Sequence, residues 1–127
     1  MSRVKNTDTK PEMVVRRQLR QLGYGYRLHL RSLPGSPDVV LTKYRSVIFV
    51  HGCFWHGHSC SRGKRPSTRT EFWDEKLNRN QARDAAAVAA LQEQGWRVLI
   101  LWECQTKNPE TLATEIQSFL PPIVPNA

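Results

Sequence analysis

Between His51 and Cys60 the chain reads HGCFWHGHSC, which places three histidines, two cysteines and two large aromatic residues within ten positions. Packing rules do not ask for that mixture; chemistry does. Thiolates and imidazoles are the ligand set of tetrahedral zinc. An imidazole left over from such a site can take a proton from water, and paired rings on a stiff loop can wedge between base steps. Cys53, His58 and Cys60 are close together, and Cys104 follows a later apolar run, so this set employs all three cysteines of the chain. Cys53-x-x-His56 is an equally allowed pair, so spacing alone leaves open which of His56 and His58 binds metal. Cys104 also has a plainer reading as a small buried apolar residue. A closed site of this kind would be structural, fixing a loop that has little else to hold it.

The carboxylates suggest a second centre. Asp38 opens one apolar run and His51 closes the next, and in an antiparallel hairpin those two ends lie side by side. Glu12, at the start of the first helical segment, adds another carboxylate. Together they suit magnesium-assisted phosphodiester hydrolysis: hard oxygen ligands hold the ion, the ion polarises the phosphate, and a neutral imidazole accepts a proton. Each residue has a bland alternative. Glu12 fits a capping box, Asp38 after Pro37 fits a turn acid, His51 fits a satisfied strand end, and Phe54 and Trp55 fit a core. Their convergence beside a zinc-type loop in a basic chain weakens these alternatives jointly.

These residues need elements to position them. Thr9-Lys10-Pro11-Glu12 starts a helix, with Met13, Val15, Leu19 and Leu22 as its apolar stripe and Gly23 as its stop. Tyr24 to Leu30 alternates as a strand, and SLPGSP turns. Pro37 to Leu41 is a second strand, Lys43-Tyr44-Arg45 turns, and Val47 to Val50 is a buried third strand, close enough to the second for a hairpin. SRGKRPSTRT is basic and irregular. A long helical segment runs from Thr70 through DAAAVAALQEQ and ends before Gly95, with a break allowed near Asn78–Asn80. Trp96 to Leu101 is a fourth strand, Pro109 to Leu120 a last helix, and PPIVPNA an irregular tail. The fourth strand can rejoin the hairpin only after a helical crossover, which predicts an α/β fold, a mixed central sheet flanked by helices.

At 127 residues, with 39% hydrophobic and 24% charged residues, the chain is expected to form one domain, residues 1–127, around one core. No apolar run is long enough to span a bilayer. MSRVKNTDTKPE lacks the apolar core of a secretory signal, so a cytoplasmic location is expected, and an odd cysteine count there favours metal over disulfides. The net charge is +8, which favours a polyanionic partner such as nucleic acid over mere solubility. The basic residues gather in Arg16, Arg17, Arg20, Arg27 and Arg31, and again in Arg62, Lys64, Arg65 and Arg69. Two such patches can face one duplex.

The pieces TKPE, SLPGSPDVV, YRSVIFVHGCFWHGHSC, TRTEFWDEKLNRNQARD and LQEQGWRVLILWEC, in that order and covering nearly the whole chain, resemble the very-short-patch-repair (Vsr) endonucleases. That family is a zinc-containing branch of the PD-(D/E)xK-like nucleases. The resemblance implies a restriction-endonuclease-like fold with a structural Zn²⁺ site, and Mg²⁺-dependent nicking of duplex DNA 5′ to the thymine of a T·G mismatch left by 5-methylcytosine deamination. Position by position, Asp38 looks like the central magnesium ligand, joined by the backbone carbonyl of Val50, and Glu12 like the carboxylate that acts on magnesium through water. His56 looks like the general base and His51 like an assistant at the phosphate. Cys53, His58, Cys60 and Cys104 become the zinc ligands, Phe54 and Trp55 the intercalating wedge, and Asp84 a support for the histidines. Where Val50 stands, some relatives have threonine; a main-chain ligand survives that change. Met1 falls about where the family places a further intercalating residue, and the chain begins close to where relatives carry an arm over the DNA, so weaker grip or discrimination is expected. The reading carries a monomer, nucleoid-associated in the cytoplasm, with double-stranded DNA and mismatch-repair proteins as partners. Its rivals are a nuclease of the same chemistry with another DNA target and a non-catalytic, zinc-stabilised DNA-binding module.

Overall fold

A computed structural model describes residues 9–56, 58, 60 and 63–123. Helix α1, Lys10–Leu22, begins where Thr9 caps it: the Thr9 hydroxyl accepts from the Glu12 backbone N–H at 3.4 Å. It ends at Gly23, whose φ of 91° lets its N–H turn back to the carbonyls of Leu19 and Arg20. Strands β1 (Arg27–Leu28), β2 (Val39–Leu41), β3 (Ser46–His51) and β4 (Arg97–Trp102) form a four-stranded sheet in the order β1-β2-β3-β4. The first two pairings are antiparallel and β3–β4 is parallel, the crossover being helix α2, Thr70–Glu93. Helix α3, Pro109–Phe119, is capped by Asn108 and closes the chain onto α1.

Pleating divides the apolar residues between two faces. Val39, Leu41, Ile48 and Leu101 pack with Val15 and Leu19 of α1 and Leu112 and Ile116 of α3. Val40, Val47 and Phe49 turn the other way, toward Leu91 of α2. The sheet is thus covered on both sides, as a parallel crossover demands. The hairpin register pairs Val39 with Ile48, which carries Asp38, just before β2, to the end of β3 where His51 lies.

Several expectations need correction. The first strand is only Arg27–Leu28, not Tyr24 to Leu30, because Tyr24 is drawn into the core and His29 takes a positive φ of 49° that breaks the ladder. The second strand starts at Val39, and the third runs through Ser46 and His51. The fourth is Arg97–Trp102, and the last helix stops at Phe119. Helix α2 is continuous across Asn78–Asn80: Asn80 spends its side chain on the Trp55 carbonyl rather than on its own backbone. Met13 is 45% exposed and leaves the α1 stripe to Val15, Leu19 and the partly buried Leu22. Arg16 is buried and paired with Glu12, so it belongs to the interior and not to a basic surface.

Candidate active site and metal centre

Two elements bring the first group together. Glu12 is in the first turn of α1 and only 2% exposed. Its Oε2 accepts from Arg16 Nη2 at 3.0 Å and lies 3.3 Å from His29 Nε2. Asp38 accepts from the Val50 backbone N–H at 2.7 Å through Oδ2, while its Oδ1 is 3.9 Å from His29 Nδ1. Glu12, His29 and Asp38 each offer a donor atom within 4.8 Å of the others. Burial pushes the Asp38 carboxyl up to about 7, the Val50 N–H opposes that, and the neighbouring Glu12 adds to it. A buried and a half-buried carboxyl group side by side are more stable with a proton or a cation between them than without either. The Glu12 backbone therefore serves the helix cap, and its carboxylate serves this group.

The second group is built from β3, the following loop and α2. The His51 and His56 rings stack with centroids 3.8 Å apart and planes 5° from parallel. Asp84 Oδ2 meets His56 Nδ1 at 2.5 Å. An ionised carboxylate only accepts, so Nδ1 carries the proton and Nε2 keeps a lone pair. Burial and then His56 hold His51 down to about 4, with Asp84 pulling the other way. Its Nδ1 is buried and has no hydrogen-bond partner among the described residues. His51 is therefore neutral at pH 7 and His56 is an oriented acceptor.

The two groups face common space. Glu12, Val50, His56 and Asp84, with Lys76 and Arg83 of α2, line a cavity of about 650 Å³. Asp38 and His51 share an adjoining one of about 440 Å³ with His29, His56 and Asp84. The hairpin expectation that placed Asp38 near His51 is thus met within one cleft, although their donor atoms fall into separate groups.

The loop places the two histidines of the spacing ambiguity in different groups. His58, and not His56, joins Cys53, Cys60 and Cys104, with all four donor atoms within 4.8 Å of one another. Cys104 Sγ is 3.6 Å from His58 Nδ1, and the His58 ring stacks on Trp102. Burial pushes the Cys53 thiol up to about 12, so protonated sulfur is favoured while nothing else supplies positive charge. A divalent cation reverses that balance by replacing the protons, and a three-sulfur, one-nitrogen set fits zinc.

Beside this loop the aromatic residues form a ridge. Phe54 packs edge-on against Trp55 at 5.0 Å and Trp73 at 5.4 Å. Trp73 also meets Trp55 and the exposed Phe72, and Lys76 Nζ lies 5.4 Å over the Trp55 ring. Asn80 Nδ2 holds the Trp55 carbonyl at 3.1 Å. Sequence reasoning missed His29, Trp73, Lys76 and Arg83. For the last three a signal exists: Trp73, Lys76, Asn80 and Arg83–Asp84 recur at helical spacing on one face of α2. His29 carries no such signal. Arg62 and Met1 lie outside the described residues.

The family model described as DNA mismatch endonuclease Vsr matches residues 1–62. The chain is 48% identical over 115 residues to the DNA mismatch endonuclease Vsr of Escherichia coli, covering 91% of this chain and 74% of that protein. It is 43% identical over 122 residues to the Type II nicking enzyme V.XorIIP of Xanthomonas oryzae pv. oryzae, covering 96% of this chain and 90% of the relative. It is 44% identical over 108 residues to the Type II nicking enzyme V.NmeAIP of Neisseria meningitidis, covering 85% and 77% respectively.

Proposed function

The chain belongs to the Vsr family of DNA mismatch endonucleases, and from that premise we propose that it nicks one strand of duplex DNA 5′ to the thymine of a T·G mismatch. The observation that carries this reading is a pair of adjoining cavities that share Val50, His56, Arg83 and Asp84, with the buried Glu12 lining one, the half-buried Asp38 the other, and the carboxylate-oriented His56 both.

Asp38 and the Val50 carbonyl would hold magnesium, with Glu12 as the further carboxylate beside it. When bound, the ion neutralises phosphate charge and makes water a better nucleophile. Its charge would favour the ionised form of the half-buried Asp38, whose carboxyl burial raises to about 7. His56 Nε2 accepts the proton of the attacking water, and Asp84 stabilises the resulting imidazolium through Nδ1. His51 stays neutral under the His56 ring and donates a hydrogen bond at the scissile phosphate rather than competing for the proton. Lys76 and Arg83 line the same cleft and bring positive charge to the DNA backbone.

Cys53, His58, Cys60 and Cys104 would hold zinc and so fix the loop that presents Phe54 and Trp55, and this ridge wedges between bases at the mismatch. The enzyme works as a monomer, since nicking one strand needs no twofold symmetry. Mismatch-repair proteins are its expected partners, and the nucleoid its place of action.

The test uses end-labelled duplexes, matched or carrying one T·G mismatch in a methylated-cytosine context, incubated with magnesium and the protein or its His56→Ala variant. A magnesium-dependent cut beside the mismatched thymine alone, lost in the variant, is the expected result. Cutting of both duplexes would move the target elsewhere. Tight binding without any cut would leave a zinc-stabilised DNA-binding module.

A further inference from the structure

We propose that Arg65 is a positioning residue for His56: it fixes the Gln81 amide, and Gln81 in turn holds the His56 backbone. The proposal rests on the reading of His56 as the proton acceptor and deepens it by naming what holds that residue from the side of α2. It also withdraws Arg65 from the basic patch offered to DNA.

Arg65 lies between Cys60 and α2, immediately before Pro66. A residue before proline is held out of the helical region, so the chain passes here without joining α2, and the Arg65 side chain reaches the helix from outside. Its Nη1 donates to Asp74 Oδ1 at 2.9 Å, and its Nη2 donates to Asn78 Oδ1 at 2.8 Å and to Gln81 Oε1 at 3.3 Å. Spaced four and then three apart, these residues form one row along the helix. An isolated exposed ion pair contributes little, but geometry shared among several partners holds better. Here one guanidinium serves three acceptors, and the Arg65 side chain is only 31% exposed.

A guanidinium donates and never accepts. The side-chain oxygens of Asn78 and Gln81 must therefore face Arg65, which leaves the Gln81 amide one orientation. Oε1 points to the arginine, and Nε2 faces the His56 carbonyl, 3.5 Å away. Turned over, the amide would set its oxygen against that carbonyl, acceptor against acceptor. Three residues further along α2, Asp84 holds His56 Nδ1; one residue earlier, Asn80 Nδ2 holds the Trp55 carbonyl. Helix α2 thus grips the Trp55–His56 segment at two carbonyls and one ring nitrogen. The Gln81 grip is the longest of the three, and its direction is set by Arg65.

The test compares the zinc-loaded full chain with Arg65→Met, which keeps the apolar stem and removes the donors, with Gln81→Ala, and with the two combined; thermal melts show that each folds. Single-turnover nicking of the mismatched duplex at saturating enzyme should slow roughly 10-fold in each single variant, the lower end for outer partners of site residues. The double variant should be no slower, because both substitutions break one link. The salt dependence of duplex affinity should keep its slope in Arg65→Met, whereas a lost phosphate contact lowers that slope by about one. The His56 Nδ1 proton, identified in NMR spectra by its loss in His56→Ala, reads the same link without catalysis. It should broaden by exchange with water in Arg65→Met and in Gln81→Ala. Slowing that multiplies in the double variant, a lower melting temperature or salt slope with an unchanged rate, or a proton signal unmoved by Arg65→Met would each overturn the proposal. A parent protein that nicks no duplex removes the nuclease reading instead, and the proton signal then decides the role of Arg65.

Discussion

Asp84 Oδ2 lies 2.5 Å from His56 Nδ1, a bond that ties helix α2 to the loop after β3 across 28 positions of sequence. It fixes the tautomer that leaves Nε2 free for a proton, and it balances the charge that appears when the proton arrives. Asp84→Asn keeps a carbonyl oxygen to accept from Nδ1 but removes the charge. Nicking should slow roughly 10–100-fold, the range for outer partners of site histidines, with DNA affinity little changed. His56→Ala should cost about 100- to 10,000-fold, the usual worth of a general base. Single-turnover nicking at saturating enzyme measures both. An Asp84→Asn rate equal to the parent rate would remove Asp84 from the mechanism.

His51 and Asp38 impose opposite pH dependences on stability without magnesium. His51 titrates near 4 in the fold against an ordinary 6.5, so the unfolded chain binds its proton first and stability falls as pH drops from about 6.5 to about 4. Asp38 titrates near 7 against 3.8, so the fold binds that proton first and stability rises as pH drops through the same region. Each slope is at most about 1.4 kcal/mol per pH unit, and in the parent they offset. Asp38→Asn should therefore gain most over the parent above pH 7 and lose that advantage by pH 4. His51→Gln should gain relative to the parent as pH falls below 6.5. Urea melts of zinc-loaded, magnesium-free protein at pH 4.5, 6 and 8 check both signs.

How far the sequence disclosed this site depended on the kind of contact. The grouping of Cys53, His58, Cys60 and Cys104 was legible because cysteines and histidines at such density have few other uses, although only the loop's path shows that His58 and not His56 lies with the cysteines. The hairpin and the crossover were legible from apolar runs and their connection lengths. Met13 and Arg16 were misplaced because helical periodicity gives a face, not its neighbours: Arg16 is interior only because Glu12 and His29 meet it there. His29 had no motif to mark it, and its place depends on a positive φ that ends β1 early.

Zinc should be required for the loop rather than for hydrolysis. Cys104→Ser removes one of the four sulfur and nitrogen donors, and metal content should fall from about one zinc per chain toward zero. The core of α1, α3 and the sheet does not include these ligands apart from their strand ends, so the far-ultraviolet spectrum should change little while the thermal melt drops and broadens. Elemental analysis of protein purified with and without chelator supplies the first number. Full zinc in Cys104→Ser would place the metal elsewhere.

Trp73 should contribute to DNA binding although it lies on α2, outside the loop that carries Phe54 and Trp55. It contacts Phe54, Trp55 and Phe72 at 5.1 to 6.1 Å, so Trp73→Ala both removes a ring and loosens the other three. Loss of a base-stacking aromatic typically costs about 1–3 kcal/mol, which is roughly a 5- to 150-fold rise in Kd. Fluorescence anisotropy with mismatched and matched duplexes should show the larger loss on the mismatched one. Equal loss on both would make the ridge a general DNA contact and not a mismatch reader.

Gly35 controls how closely α2 approaches the sheet. Its φ is 73°, and an added Cβ would lie 2.7 Å from the Ala87 Cβ of α2 and 3.2 Å from the Phe49 ring. Gly35→Ala therefore carries backbone strain and a clash, each worth about 1–3 kcal/mol. Because Ala87 follows Asp84 by less than one helical turn, relief of the clash pushes Asp84 away from His56. Stability and nicking should both fall, and nicking by more than in Asp84→Asn if the helix moves. Ala87→Gly makes room for the new methyl group but leaves the strained φ. Measured as a double-mutant cycle against Ala87→Gly alone, the pair should recover the clash component and the nicking rate, while the strain component of stability stays lost. Strict additivity of the two substitutions would show that the helix and the Gly35 turn do not press on each other.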